Sequence, residues 1–289
     1  MSGGRYGIEI YDPCQSIDIS EASFVRISSM AIRITGKCQD ICIDKVHVHA
    51  YNGIEITGRV VEVLRVSNSV FESRNPINIY RRHYYSNENL AVSILVEDSQ
   101  FYGYNSQGYQ AIRLYEENNR ESNNCTVTIT RCEFQYFDVA FSSQYYNNYH
   151  DDVPSHVSIT LYDCSFRYNG HAIYTQFYSP RRSNNMSLAM VGNTFVNHTD
   201  HVIDIDQAIG EVEVTISHNS FHTNAKSVIR MPNTIQYCNV TNNSFWNNTG
   251  RYVINVYEAL QTDLVGFYHV IEENSFTENR QYWSGTGCF

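Results

Sequence analysis

The sequence is short of several things most soluble domains use freely. Of 289 residues only 5 are Pro and 15 are Gly, so it reads neither as a collagen-like repeat nor as a flexible linker. Lys occurs three times, and 30 acidic residues against 20 basic ones leave a net charge of -10, which argues against a nucleic-acid partner. No run of 18 apolar residues occurs, so no membrane insertion by this segment is expected. The 8 Cys include no C-x-x-C pair, which removes zinc ribbons and thioredoxin-like motifs, and no metal site is expected. The opening MSGGRYGIEIYDP lacks the apolar stretch of a signal peptide, so an extracellular reading implies a fragment of a larger protein.

What the chain has in excess is Tyr (23) and Asn (29), within a composition that is 42% hydrophobic and 13% aromatic. That bias belongs to a β-rich protein with many turns. A short phrase recurs along it. Phe24, Phe71, Phe101, Phe134, Phe166, Phe195, Phe221, Phe245 and Phe276 each follow a small or polar residue by one or two positions, Val48 fills the one gap, and the anchors are spaced 23 to 33 residues apart. Ahead of nearly every anchor runs an alternating apolar segment whose inward positions lie five, seven and nine residues upstream, as in Val92/Ile94/Val96 and Val157/Ile159/Leu161. After it comes a second short alternation, such as Ile32/Ile34, Ile77/Ile79, Ile203/Ile205 and Ile229/Met231. Period two means strand, and no segment sustains a period of 3.6.

Short strands repeated about ten times without helices cannot build a doubly wound sheet, which needs crossover helices. They predict an all-β solenoid, a single-domain parallel β-helix over residues 1–289 whose coils stack at roughly 4.8 Å. Propeller blades need roughly 40–50 residues each, more than the spacing provides. The anchors predict an inward Phe stack. Asn193, Asn219, Asn243 and Asn274, two residues before their Phe, are expected to hydrogen-bond one another from coil to coil.

Six sequons, at Asn124, Asn185, Asn197, Asn239, Asn242 and Asn247, avoid every expected core position and are candidate glycosylation sites. Cys14 and Cys38 begin the same phrase one coil apart, and Cys132 and Cys164 share the place two before Phe. Stacked strands bring such Cα atoms to about 5 Å, which admits either disulfides or ladders of reduced thiols.

The Asn-x-Phe coils from Phe24 to Phe276 resemble the right-handed parallel β-helix repeats of the pectin-lyase-like superfamily. That superfamily spans polysaccharide lyases, glycoside hydrolases, epimerases, phage tailspikes and non-enzymatic animal ectodomains. The sequons and the Tyr/Asn-rich turns look most like the ectodomains, such as the β-helical repeats of insect tricellular-junction proteins of the Bark beetle (Anakonda) type. Polygalacturonase-type members carry Asn-Thr-Asp, Asp-Asp, Gly-His-Gly and Arg-Ile-Lys on successive coils. This chain has Asp151-Asp152, Gly170-His171-Ala172 and Arg33-Ile34-Thr35, incomplete and on separated coils.

Candidate chemistry falls among the outward residues of the second strand. They read Arg33, Glu55, Asn78, Arg113, Tyr174, Asp204, Arg230 and Asn255, and only Asp204, Asp206 and Arg230, with Asp200 nearby, bring carboxylates and a cation together. Carboxylates about 5–10 Å apart serve glycoside hydrolysis, or bind calcium with other oxygens. The alternative expectation is a solvated Asp204–Arg230 pair. His198-x-x-His201-x-x-Asp204 is expected to leave its histidines on the surface, because strand and turn spacing does not gather them as a helix would. The connections after the second strand carry Arg81, Tyr84, Tyr85, Tyr145, Tyr146, Tyr178 and Arg182, which stacking would collect on one edge. Tyr and Arg at that density suit binding to a protein or a glycan. The leading expectation is therefore a non-catalytic extracellular module without a cofactor. The alternative is a lyase or hydrolase of a polyuronate using Asp204, Asp206 and Arg230, with calcium as its possible cofactor. The oligomeric state is left open.

Overall fold

The computed structural model describes residues 4–57, 61–83, 90–103, 108–118, 123–147, 156–178, 185–209, 211–257, 268–279 and 283–284. Among them every regular element is a β-strand, and every registered pairing is parallel. A 10-stranded sheet holds the alternating segments upstream of the anchors, from Cys14–Ser20 to Tyr237–Thr241 and Tyr268–Glu272. A 19-stranded sheet contains two rows. One is the short strands centred on the anchors, such as Thr194–Val196 and Ser220–His222. The other is the second strands, such as His171–Tyr178, Ile203–Ile209 and Ile229–Pro232. Long strands of parallel sheets, each paired with its equivalent 22 to 35 residues away, make a β-solenoid-like fold.

The inward positions build one core. Val92, Ile94, Val96, Val157, Ile159 and Leu161 are buried, as are Ile32, Ile34, Ile77, Ile79, Ile203 and Ile205. Anchors meet their counterparts in register, with Val48 opposite both Phe24 and Phe71. From Phe71 to Phe276 the rings form an unbroken parallel stack with centroids 4.8–5.2 Å apart and planes within 12°. The spacing is that of neighbouring strands, so the stack needs no distortion of the sheet.

Sharp corners make this stacking possible. Three residues before every anchor stands a left-handed residue: Glu21, Lys45, Asn68, Asp98, Arg131, Asp163, Gly192, His218, Asn242 and Glu273, with φ between 48° and 71°. Only Gly192 adopts this conformation without a Cβ penalty, which is about 1–2 kcal/mol for an ordinary residue. The bend recovers hydrogen bonds in return. The Lys45 N–H donates to the Ser67 carbonyl and the Asp98 N–H to the Thr130 carbonyl, each at 3.1 Å, and the pattern repeats along the chain.

Next to the corner runs the Asn ladder. Asn193 Nδ2 donates to Asn219 Oδ1, Asn219 Nδ2 to Asn243 Oδ1 and Asn243 Nδ2 to Asn274 Oδ1, each at 3.0 Å, and the same oxygens accept backbone N–H groups. Ser69, Ser99, Cys132 and Cys164 occupy the same place on earlier turns. The Ser69 N–H donates to Ser99 Oγ at 3.1 Å, and the Cys164 N–H to Asn193 Oδ1 at 2.9 Å. A second ladder, three residues after the anchors, is formed by Asn169, His198, Asn224, Asn248 and Asn279. Here Asn224 Nδ2 reaches Asn248 Oδ1 at 2.8 Å and Asn248 Nδ2 reaches Asn279 Oδ1 at 2.9 Å. Both ladders are buried except at half-buried Asn274, and a side chain that donates and accepts at once is what a stack of identical polar positions requires.

His198 is thus not a surface residue, as its spacing suggested, but a buried ladder member at 1% exposure. Its Nε2 lies 3.2 Å from the Phe166 carbonyl, and its backbone N–H donates to Asn224 Oδ1. Burial pushes its pKa down to about 4.

The cysteines resolve as thiol ladders. Cys14 is directly opposite Cys38, yet Cys14, Cys38, Cys132 and Cys164 are all free. Side chains in register on parallel strands point the same way, so their Cβ atoms stay near the 4.7–4.9 Å strand spacing, beyond the 3.5–4.5 Å of a disulfide. The thiols hydrogen-bond instead, Cys132 Sγ to the Thr130 carbonyl and Cys164 Sγ to the Tyr162 carbonyl, both at 3.3 Å. Burial raises the Cys38 pKa to about 12, so this thiol stays protonated.

Two measurements check this packing. Phe195→Ala or Phe221→Ala is expected to cost about 3–5 kcal/mol in denaturant unfolding, and Phe276→Ala less, because Phe276 is only partly buried. The second uses pH. A His that is neutral when folded but takes up a proton near pH 6.5 when unfolded loses stability as pH falls from about 6.5 to 4. At about 1.4 kcal/mol per pH unit the loss is roughly 3 kcal/mol. His198→Asn, which installs the ladder's own residue, is expected to flatten that part of the profile of melting temperature against pH.

Candidate functional site

The outward row of the second strands stacks as the alternation implies: Glu9, Arg33, Glu55, Asn78, Arg113, Ser142, Tyr174, Asp204, Arg230 and Asn255 are successive register partners. Near the first strands the signs alternate, with Arg33 3.6 Å from Glu9 and 3.3 Å from Glu55. Toward the other end the row opens into a polar cluster.

Asp204 is its centre. Ile203 and Ile205 point into the core, which turns the Asp204 side chain out against its neighbours, where it remains only 7% exposed. Arg230 Nη1 donates to Asp204 Oδ1 at 2.7 Å and to Asp206 Oδ1 at 3.4 Å. His171 Nε2 lies 3.5 Å from Asp204 Oδ2 and 3.6 Å from Asp200 Oδ1. Lys226 Nζ holds both Asp200 oxygens at 2.9 Å. Asp206 also accepts from Gln176 Nε2 at 2.7 Å and the Tyr174 hydroxyl at 3.3 Å. The Arg230 guanidinium sits 4.4 Å over the Tyr257 ring, and the Tyr257 hydroxyl donates to the Asp206 carbonyl.

Electrostatics follow from this geometry. Burial alone would raise the Asp204 pKa, but hydrogen bonds from His171 and Arg230 outweigh it and hold the group below the usual carboxylate range. At Asp200 burial is likewise outweighed, by Lys226 and by the His201 N–H. Burial raises Tyr257 to about 12 and lowers His201. The pairing of Asp204 with Arg230 is therefore present, but as part of a half-buried network rather than on an open solvated face. Among the described residues no group of three or more His, Cys, Asp and Glu side chains is arranged to hold a metal ion.

His171 is the member that the strand pattern missed. It lies five residues after Phe166, as Asp200 does after Phe195 and Lys226 after Phe221, and this common offset would have placed the three together. Gly170 before it serves packing, since a Cβ there would lie 2.4 Å from the Asp138 carbonyl oxygen.

Of the loop-edge residues, Tyr84, Tyr85 and Arg182 lie outside the described residues. The others fall on strand rather than loop. Arg81 and Tyr145 share one register row through Glu116, and Tyr146 pairs with Tyr178. Tyr145 corrects the expected placement: it is 2% exposed and stacks on Phe177 at 5.1 Å, because alternation from Phe141 and Ser143 turns it inward. On the outer side Tyr80 and Tyr115 stack at 4.7 Å.

None of the six sequon asparagines is buried. Asn124, Asn185 and Asn242 are exposed, whereas Asn197, Asn239 and Asn247 are half-buried. Asn197, Asn242 and Asn247 occupy left-handed corner positions.

The network has an energetic signature. Arg230→Gln strands the buried Asp204 carboxylate and is expected to cost about 2–4 kcal/mol in chemical denaturation. Lys226→Gln, which removes a more exposed pair, is expected to cost under about 1 kcal/mol. Comparison with protein-family models, curated proteins and solved structures found no match for this chain.

Proposed function

We propose that the chain is a non-catalytic extracellular β-helix module of an adhesion, junction or scaffold protein, binding a protein or glycan partner through stacked Tyr and Arg side chains. In this reading the winding is right-handed, as nearly all parallel strand crossovers are, with about ten coils forming one domain over residues 1–289. The ectodomain resemblance of the Bark beetle type belongs to the same reading.

The observation that carries it is the position of Arg230. One guanidinium nitrogen touches both Asp204 and Asp206, filling the gap that a sugar or a nucleophilic water would need. A general acid for glycoside cleavage also needs a carboxyl whose pKa is raised, and Asp204 is held low. Sequons kept off the core support an extracellular, glycosylated surface. Exposed aromatic rows, including Tyr136 stacked on Tyr168 at 5.5 Å, support recognition.

The second reading, a polyuronate lyase or hydrolase built on Asp204, Asp206 and Arg230, is favoured by the approach of His171 to Asp204. Incubation with polygalacturonate and alginate, read by unsaturated-uronide absorbance and by new reducing ends, tests the two. No turnover is expected. Turnover that disappears in Asp204→Asn would make the chain an enzyme.

A further inference from the structure

Away from the Asp204 network, the strand Ser23–Ile34 departs from regular pairing with His47–Thr57. The register shifts between Val25 and Ile27 and again between Ile27 and Met30, and Arg26 is left-handed at φ 59°. Bulges re-aim side chains and interrupt pairing, and here they leave a hollow of about 270 Å³ lined by Arg26, Ile27, Ser28, His49, Ala50 and Tyr51.

Arg26 and Tyr51 give the hollow a cationic and an aromatic side, and Arg74 and Tyr109 stack next to Tyr51 outside its lining. Arg74 donates from Nη1 to the Tyr51 hydroxyl at 2.6 Å, and its guanidinium lies 3.9 Å over the Tyr109 ring and 5.3 Å from the Tyr51 ring centroid. Tyr51 and Tyr109 are 44% and 48% exposed. Arg5, whose carbonyl accepts from the Ser29 and Met30 N–H groups, is a further exposed cation, with its guanidinium 5.2 Å from the Tyr6 ring centroid. Neither Arg5, Arg26 nor Arg74 pairs with a carboxylate among the described residues, although the chain carries a net charge of -10. Glu72, the nearby acid, is taken up by His49 at 2.7 Å.

Guanidinium groups without a carboxylate partner, set beside exposed aromatic rings, have a defined chemistry. The planar N–H fork matches carboxylate and sulfate oxygens, and Tyr faces cover the apolar side of a sugar ring. We infer that this hollow, together with the Tyr51–Arg74–Tyr109 stack that continues from its Tyr51 edge, binds an anionic sugar unit of a glycan. Arg26 and Arg74 take the acidic group, and Tyr109 takes the ring. The inference rests on reading the chain as a recognition module, and it names a ligand class for that module at a place separate from the Arg81–Tyr178 edge.

The test is calorimetric titration of the full chain with a hyaluronan hexasaccharide, which carries carboxylates alone, a chondroitin sulfate hexasaccharide, which adds sulfates, and neutral cellohexaose. One or both anionic probes are expected to bind, the neutral one not, with affinity falling as salt is raised. Binding of hyaluronan assigns the carboxylate as sufficient, and binding of the sulfated probe alone assigns sulfate. Arg74→Ala and Tyr109→Ala are each expected to weaken binding about tenfold or more. Arg26→Asn, which removes the charge while tolerating the left-handed backbone, is expected to weaken it at an unchanged melting temperature. Absence of binding by both anionic probes, equal binding of cellohexaose, or unchanged affinity in all three variants would overturn the site. Cleavage of a bound probe, seen as new reducing ends, would overturn the non-catalytic reading and leave the site standing.

Discussion

Every part of this molecule depends on parallel strands stacking in register, so that each position lies over its own counterpart at the strand spacing. Such stacking rewards residues that pack well against copies of themselves. Phe does so through offset rings, and branched aliphatics through flat ladders along the sheet. A polar residue can join the interior only if it donates to one neighbour and accepts from the other, which the Asn amide does and which Ser, Cys and neutral His do in part. The two Asn ladders and the Phe stack are thus answers to one constraint, and the left-handed corners are the bend that brings them side by side.

Outside the core the same stacking sets the electrostatics. Like charges would meet at about 5 Å along an outward row, so Glu9, Arg33 and Glu55 alternate in sign. Around Asp204 three carboxylates gather, but Lys226, Arg230 and His171 come with them from the neighbouring turns of the solenoid. The result is a network whose charges are taken up internally. By contrast exposed Arg26 and half-buried Arg74 have no acidic partner among the described residues, and a protein with a net charge of -10 has acids in excess to supply one.

Much of the architecture was written plainly in the chain. Alternation with period two named the strands, and the recurring Phe set their register. From these followed the inward sets, the order of the outward row and the first Asn ladder, since in a solenoid the place in the repeat decides the neighbours. Three features escaped. The second ladder was hidden because His198 interrupts it and Asn is common in the turns. Tyr145 looked like a loop residue, because nothing local shows that the strand from Phe137 extends to Asn147. His171 was judged by a broken catalytic phrase rather than by its offset from Phe166.

What the sequence determined by itself is the periodic part: parallel strands, a common core and the faces to which residues belong, because these depend only on spacing along the chain. What the tertiary structure alone decided are the departures from period. The thiols remain apart because parallel Cβ vectors do not converge. Arg230 bridges two carboxylates because a bulge after Thr175 shifts Asp206 relative to its row. The hollow beside Tyr51 exists because pairing fails around Arg26. Each depends on distances between strands, which no one-dimensional pattern carries.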